Sequence, residues 1–219
     1  MYDFEYHKPT ALADATKALG GTDAKALAGG MTFIPVLKQR LAQPSAVVDL
    51  SGLGLTGISL EGNSLVIKAM TTHREVATSP VVAKAIPALA HLAGHIGDRQ
   101  VRYRGTIGGS LANNDPSACY PSAVLALGAT IKTTKRSLKA DEFFQGMFTT
   151  ALEPDELITE ISFPIPAKAA YEKFPNPASR YATVGGRRRH VQTLHPPRHP
   201  QRHQLIARLA GQPPQPLIL

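Results

Sequence analysis

A chain of 219 residues, 43% of them hydrophobic, suffices for one large domain or two small ones around a core of ordinary size. Its formal net charge of +8 would suit a polyanion, but six of its 24 Lys and Arg and none of its 16 Asp and Glu lie after Gly185. The rest of the chain sets 18 basic residues against 16 acidic ones, which argues against a nucleic-acid partner; a single cysteine, Cys119, excludes an intrachain disulfide and any thiolate-built zinc or iron–sulfur centre.

Met1 to Thr10 carries Asp3 and Glu5 and no apolar stretch, so no secretory signal is expected. No apolar run approaches the roughly 20 residues of a membrane helix, and the expected compartment is the cytoplasm. Thr10 is placed to cap a helix through Leu19, stopped by Gly20-Gly21. Ala24 to Ala28 is a short apolar segment that runs into Gly29-Gly30. A helix is predicted from Thr32 to Leu41 with Thr32 as its N-cap, then a buried strand from Ala46 to Leu50. These elements make an α/β lobe over 1–57.

From Ile58 the pattern changes. Ile58 to Leu60 and Leu65 to Ala69 flank Glu61-Gly62-Asn63 as a hairpin. Thr71-Thr72-His73 precedes a helical stretch, and Val81 to Ala93 reads as a second helix. Gln100 to Arg104 is predicted as a strand leading into a glycine-rich run at 105–109. Pro121 to Leu127 suits a helix stopped by Gly128, Ala129 to Thr134 a strand, and Leu157 to Phe163 and Ala170 to Phe174 the last strands. This is an α+β lobe over 58–185. Beyond it, 186–219 interleaves Pro with Arg, His and Gln, a composition expected to stay disordered.

Two glycine pairs stand out, Ala28-Gly29-Gly30-Met31-Thr32 and Thr106-Ile107-Gly108-Gly109-Ser110. Without Cβ atoms, successive N–H groups can turn into one concavity, and a following helix start adds free donors, an arrangement suited to a diphosphate. On spacing alone each is as readily a plain turn. Neither a P-loop nor a dinucleotide Rossmann loop is expected. His73, His91 and His95 lack carboxylates at metal-site spacing and are expected in surface or capping roles. Arg99, Arg102 and Arg104 are expected to alternate along a solvated strand edge, with phosphate contact as the other reading.

The run Arg104-Gly-Thr-Ile-Gly-Gly-Ser-Leu-Ala-Asn-Asn-Asp-Pro116 resembles a signature of molybdenum hydroxylase flavoproteins, the group of carbon monoxide dehydrogenase medium subunits and the FAD domain of xanthine dehydrogenase. Ala28-Gly-Gly-Met-Thr-Phe-Ile-Pro-Val-Leu-Lys38 resembles that family's other FAD loop, and Thr71-Thr72-His73 and Tyr171-Glu-Lys-Phe174 match it too. The resemblance covers about 1–184. It implies an α+β, two-lobed FAD-binding fold of the vanillyl-alcohol-oxidase/CO-dehydrogenase flavoprotein type.

For the site, the resemblance implies that Leu27, Ala28, Gly29, Gly30, Met31, Thr32, Phe33 and Ile34, with Thr106, Ile107, Gly108, Gly109 and Ser110, wrap the FAD diphosphate and ribityl chain. Ile96 and Ile158 would lie near the flavin and adenine portions, and Lys173 would approach the cofactor. Asp115 would accept a hydrogen bond, or serve as a turn residue before Pro116. Cys119 stands where the family commonly has an acid, so either FAD affinity falls or another group takes over.

For function, the resemblance implies an electron-transfer subunit with no catalytic side chain and no metal of its own. It would work in a heterotrimer, itself dimerised, with an iron–sulfur small subunit and a molybdenum-cofactor large subunit. Relatives continue past the Tyr-Ala-x-Val-Gly element. The change of composition near Gly185 is therefore read as a frameshift, with weaker flavin retention and impaired assembly expected. The other readings are a stand-alone FAD oxidoreductase of the same fold, a nucleic-acid binder driven by the tail, and a non-functional fragment.

Overall fold

The computed structural model describes residues 1–189. Its first sheet is parallel, with order β1-β3-β2, built from β1 (Glu5–His7), β2 (Ala24–Leu27) and β3 (Ala46–Asp49). Parallel neighbours require crossovers, and α1 (Leu12–Leu19) and α2 (Phe33–Lys38) supply them. Ala15 and Leu19 of α1 pack on Val48 of the central strand. The residue at the N-cap of α1 is Ala11 rather than Thr10, and no side chain caps it. The helix expected over Thr32 to Leu41 is the shorter α2, and Thr32 at its start makes no capping hydrogen bond.

The chain then builds β4 (Ile58–Glu61) and β5 (Ser64–Lys68), the expected hairpin, with Glu61 opposite Ser64. Four helices follow: α3 (His73–Thr78), α4 (Pro80–Ala85), α5 (Pro87–Gly94) and α6 (Arg99–Arg104). The single helix expected from Val81 to Ala93 is broken before Pro87, where Ile86 takes an extended φ of −140°. A proline ring disfavours the α conformation in the residue before it. The strand expected over Gln100 to Arg104 is α6. Asp98 caps it, its carboxylate accepting from the Val101 amide at 2.8 Å, and that local start signal outweighs the apparent alternation of charge.

Next come α7 (Ile107–Asn113) and α8 (Cys119–Leu127), the latter ended by Gly128 at φ +62°, then β6 (Thr130–Thr133) and β7 (Ser137–Lys139). The short α9 (Ala140–Phe143) leads to the hairpin of β8 (Phe144–Gly146) and β9 (Thr149–Thr150), and β10 (Ile158–Pro164) completes the second sheet. That sheet is antiparallel, in the order β4-β5-β10-β6-β7. Its buried face, including Leu65, Ile67, Ile131, Ile161 and Phe163, meets Leu89, Leu92, Leu111 and Val124 of the helices in the main core. Leu157, just before β10, instead joins the core under the first sheet, with Met70 packed against the same cluster.

A separate pair, β11 (Ala169–Pro175) and β12 (Ala182–Arg189), runs antiparallel. Strand β12 carries through Arg189, past the Gly186 at which the tail was expected to begin; the rest of that expected tail, 190–219, lies outside the described residues. Among the described residues no helix is long and apolar enough to cross a membrane.

Candidate functional site: two glycine loops in contact

The loop between β2 and α2 and the loop between α6 and α7 lie far apart in sequence and touch in the fold. A Cβ placed on Gly29 would overlap the Arg104 carbonyl oxygen and stand 2.8 Å from the Gly105 Cα. One placed on Gly109 would come within 3.2 Å of the Ala28 Cβ. Only residues without side chains allow the two backbones to approach this closely. Gly30 adds a positive φ of +76°, which turns the chain from strand into helix with Ile34 folded back over it.

The backbone donors of the two loops differ in their engagement. In the second loop the amides of 107–110 are taken: Ile107 donates to the Thr71 carbonyl at 3.0 Å and Gly108 to that of Ala69 at 2.8 Å. Gly109 donates to the Thr106 hydroxyl at 3.1 Å and Ser110 to the Thr106 carbonyl at 3.0 Å. The expectation that both glycine pairs present free N–H groups is therefore corrected for this one. Gly108 is needed there for packing, because a Cβ would sit 2.7 Å from that of Ala69. In the first loop, by contrast, the amides of Gly29, Gly30, Met31 and Thr32 donate to no acceptor among the described residues. Gly30 is buried. Gly29 is half-buried and Met31 and Thr32 are exposed, so this is a run of free N–H donors at a helix start, a cradle suited to an acceptor-rich group.

Thr71-Thr72-His73 fixes the second loop. The His73 amide donates to the Gly105 carbonyl at 2.9 Å, and Thr72 bridges Thr106 across the same step. Thr72 also caps α3 reciprocally with Glu75, whose carboxylate accepts from the Thr72 amide at 2.7 Å. The His73 ring, expected in a surface or capping role, is buried, 5% exposed, with its Nδ1 unpartnered and the Tyr120 ring centroid 5.3 Å away. Burial, reinforced by the Arg102 charge, lowers its pKa to about 4, so it is neutral near pH 7. A Cβ on Gly105 would lie 2.5 Å from its Nε2, so this glycine too is dictated by contact.

The remaining expected residues disperse. Lys173, on β11, donates from Nζ to the His95 carbonyl at 2.9 Å, next to the half-buried Ile96. Ile158 and Cys119 are buried in the main core, so the thiol of Cys119 fills core space. Asp115 accepts from the Ser117 amide at 2.8 Å, which is its turn role. A residue missed by the sequence reading is Asn114. It ends α7 at φ +43° and donates from Nδ2 to the Gly146 and Thr149 carbonyls at 2.6 and 2.9 Å, tying down the β8–β9 hairpin. An asparagine after an apolar helical run was the available signal. Also missed was a GxGxxG spacing at Gly52, Gly54 and Gly57. It leads into strand β4 instead of a helix, so it lacks the context of a dinucleotide loop.

Comparison with known proteins gives this geometry a family. Residues 2–166 match the model of the FAD binding domain in molybdopterin dehydrogenase. The carbon monoxide dehydrogenase medium chain of Afipia carboxidovorans is 42% identical over 191 residues, covering 83% of this chain and 66% of its own length. The corresponding chain of Hydrogenophaga pseudoflava is 40% identical over 192 residues, covering 83% and 67%. Among solved structures, the Cu,Mo-CO dehydrogenase in its cyanide-inactivated form superposes with a TM-score of 0.80 at 40% identity, covering 84% of this chain and 68% of that one. Quinoline 2-oxidoreductase from Pseudomonas putida 86 gives 0.81 at 35%, covering 84% and 67%. The chain thus spans about two thirds of the length of the relatives it matches.

Proposed function

This chain belongs to the family of FAD-binding domains of molybdopterin dehydrogenases, and we propose that it is the flavin-carrying, electron-transferring part of a molybdenum hydroxylase. The observation that carries the reading is the cradle at Gly29 to Thr32. Four successive amides with no acceptor among the described residues lie in a loop whose Gly29 packs on the Arg104 carbonyl, a contact that only glycine admits. We place the FAD diphosphate there, with the Thr32 and Ser110 hydroxyls as further donors. Lobes 1–57 and 58–185 meet at this cradle through their loops.

Loop 106–110 acts from behind. Its amides are held by Thr71, Ala69 and Thr106, so it is a rigid wall that fixes where Gly29 and Ala28 lie. Lys173, held by the His95 carbonyl next to Ile96, is the cation we assign to an electron-rich part of the cofactor. Bound FAD supplies the one- and two-electron chemistry, and the protein binds, orients and shields it. In this reading no side chain need serve as nucleophile or general base.

In this proposal the electrons come from an iron–sulfur subunit, which receives them from a subunit holding the molybdenum cofactor. The resemblance to medium chains of carbon monoxide and glyceraldehyde dehydrogenases supports that division of labour. The test is anaerobic mixing of the FAD-loaded chain with its pre-reduced iron–sulfur partner. Bleaching of the flavin bands is expected. A flavin that stays oxidised while the partner remains competent toward an artificial dye overturns the electron-transfer role.

A further inference from the structure

The arginines of α6 meet no carboxylate among the described residues, and Arg102 donates to the Ile96 and Gly97 carbonyls. Among the described residues Arg74, Arg99, Arg102 and Arg104 enter none of the ion pairs, whereas Lys132, Lys135 and Arg136 are matched with carboxylates elsewhere. The acids nearest in sequence are engaged otherwise: Glu75 completes the cap of α3, and Asp98 caps α6. Arg74 and Arg99 converge on the ring of Tyr103, 4.6 and 5.9 Å from its centroid, and the tyrosine stays 46% exposed. Arg99, Tyr103, Arg104 and Gln100 line a shallow concavity of about 410 Å³.

Exposed Tyr and Arg held in one another's company are the side chains that dominate protein interfaces, and their stacking restrains them before any partner arrives. The position is equally specific. Helix α6 runs directly into Gly105, and it is the Arg104 carbonyl on which Gly29 packs. The patch therefore borders both glycine loops.

We propose that the Arg74–Tyr103–Arg99 face, with Arg104 at its rim, is the docking surface for an acidic face of the iron–sulfur partner. This rests on the electron-transfer reading above and gives it a location. A partner seated here lies beside the cradle, and its carboxylates pair with guanidinium groups that enter no ion pair among the described residues. Charge of this kind acts on the rate and specificity of encounter, and weakens with salt.

The test uses the full chain and its co-expressed native iron–sulfur subunit. Affinity is measured for wild type, for Arg74→Glu/Arg99→Glu and for Arg74→Lys/Arg99→Lys at low and high salt, with FAD content read separately by absorbance. Charge reversal is expected to weaken the complex by about tenfold or more and to flatten its salt dependence, while FAD content is unchanged and the lysine pair recovers much of the affinity. Equal affinity of the reversed variant, or no complex with wild type, overturns the proposal. So does a reversed variant that loses only inorganic pyrophosphate binding, since the face would then be a small-anion site. Because partner affinity is read with or without flavin, a wild-type chain lacking FAD counts against the flavin reading alone.

Discussion

At Gly29 and His73 the site depends on single atoms. The Gly29→Ala methyl has no room against the Arg104 carbonyl, so the two loops must part and the amides turn away from their common target. FAD affinity is expected to fall by about tenfold or more, the loss of one or two charge-assisted hydrogen bonds. A fluorescence titration of the apo chain measures it, with circular dichroism as the check that the fold survives. Affinity equal to wild type would show that the close approach is incidental.

His73 makes a pH prediction. Its folded pKa of about 4 lies below the ordinary histidine value of 6.5, so between those pH values the unfolded chain takes up the proton first. Its contribution to stability is intact above about 6.5, falls as pH drops, and levels off near 4. The full loss is on the order of 3 kcal/mol. Urea unfolding of His73→Leu at pH 7 and pH 5 is expected to show a smaller drop than wild type; an identical drop assigns the acid sensitivity to other groups. The sequence did not reveal this burial, because a histidine at a helix start is as compatible with solvent as with the core.

At the scale of elements, legibility follows how local the cause is. The β4–β5 hairpin, α8 with its Gly128 stop, and strands β6 and β10 stand where side-chain alternation and turn residues put them. Helix α6 was misread because six residues with alternating arginines look like an edge strand, while the Asp98 cap that decides the matter is one residue outside the pattern. The hairpin of β8 and β9 was not foreseen at all, since its strands are too short for periodicity to register and it is held by Asn114 from a distant helix end. Asn114→Gly keeps the left-handed backbone and removes both side-chain hydrogen bonds, so a loss of about 1–3 kcal/mol is expected in chemical denaturation. Asn114→Ala adds backbone strain at φ +43° and is expected to cost more. If the two variants match wild type, the hairpin is anchored elsewhere.

For the whole molecule, the family and its cofactor were readable from two glycine strings, but their division of labour was not. Both strings look like phosphate turns. Only the fold shows that one has its amides engaged by Thr71, Ala69 and Thr106, while the other leaves them open. That difference comes from long-range pairing, which no local spacing encodes. The same holds for Cys119 and Ile158, which stand within or near family signatures yet sit inside the core. The central claim is that the open run at Gly29 to Thr32, braced by the second loop, binds FAD. Titrating the flavin-stripped, folded chain with FAD tests it most directly. The account predicts saturable uptake of one FAD per chain, weakened by pyrophosphate, which competes for the same amides. Folded protein that takes up no FAD, or takes it up with no competition from pyrophosphate, contradicts it.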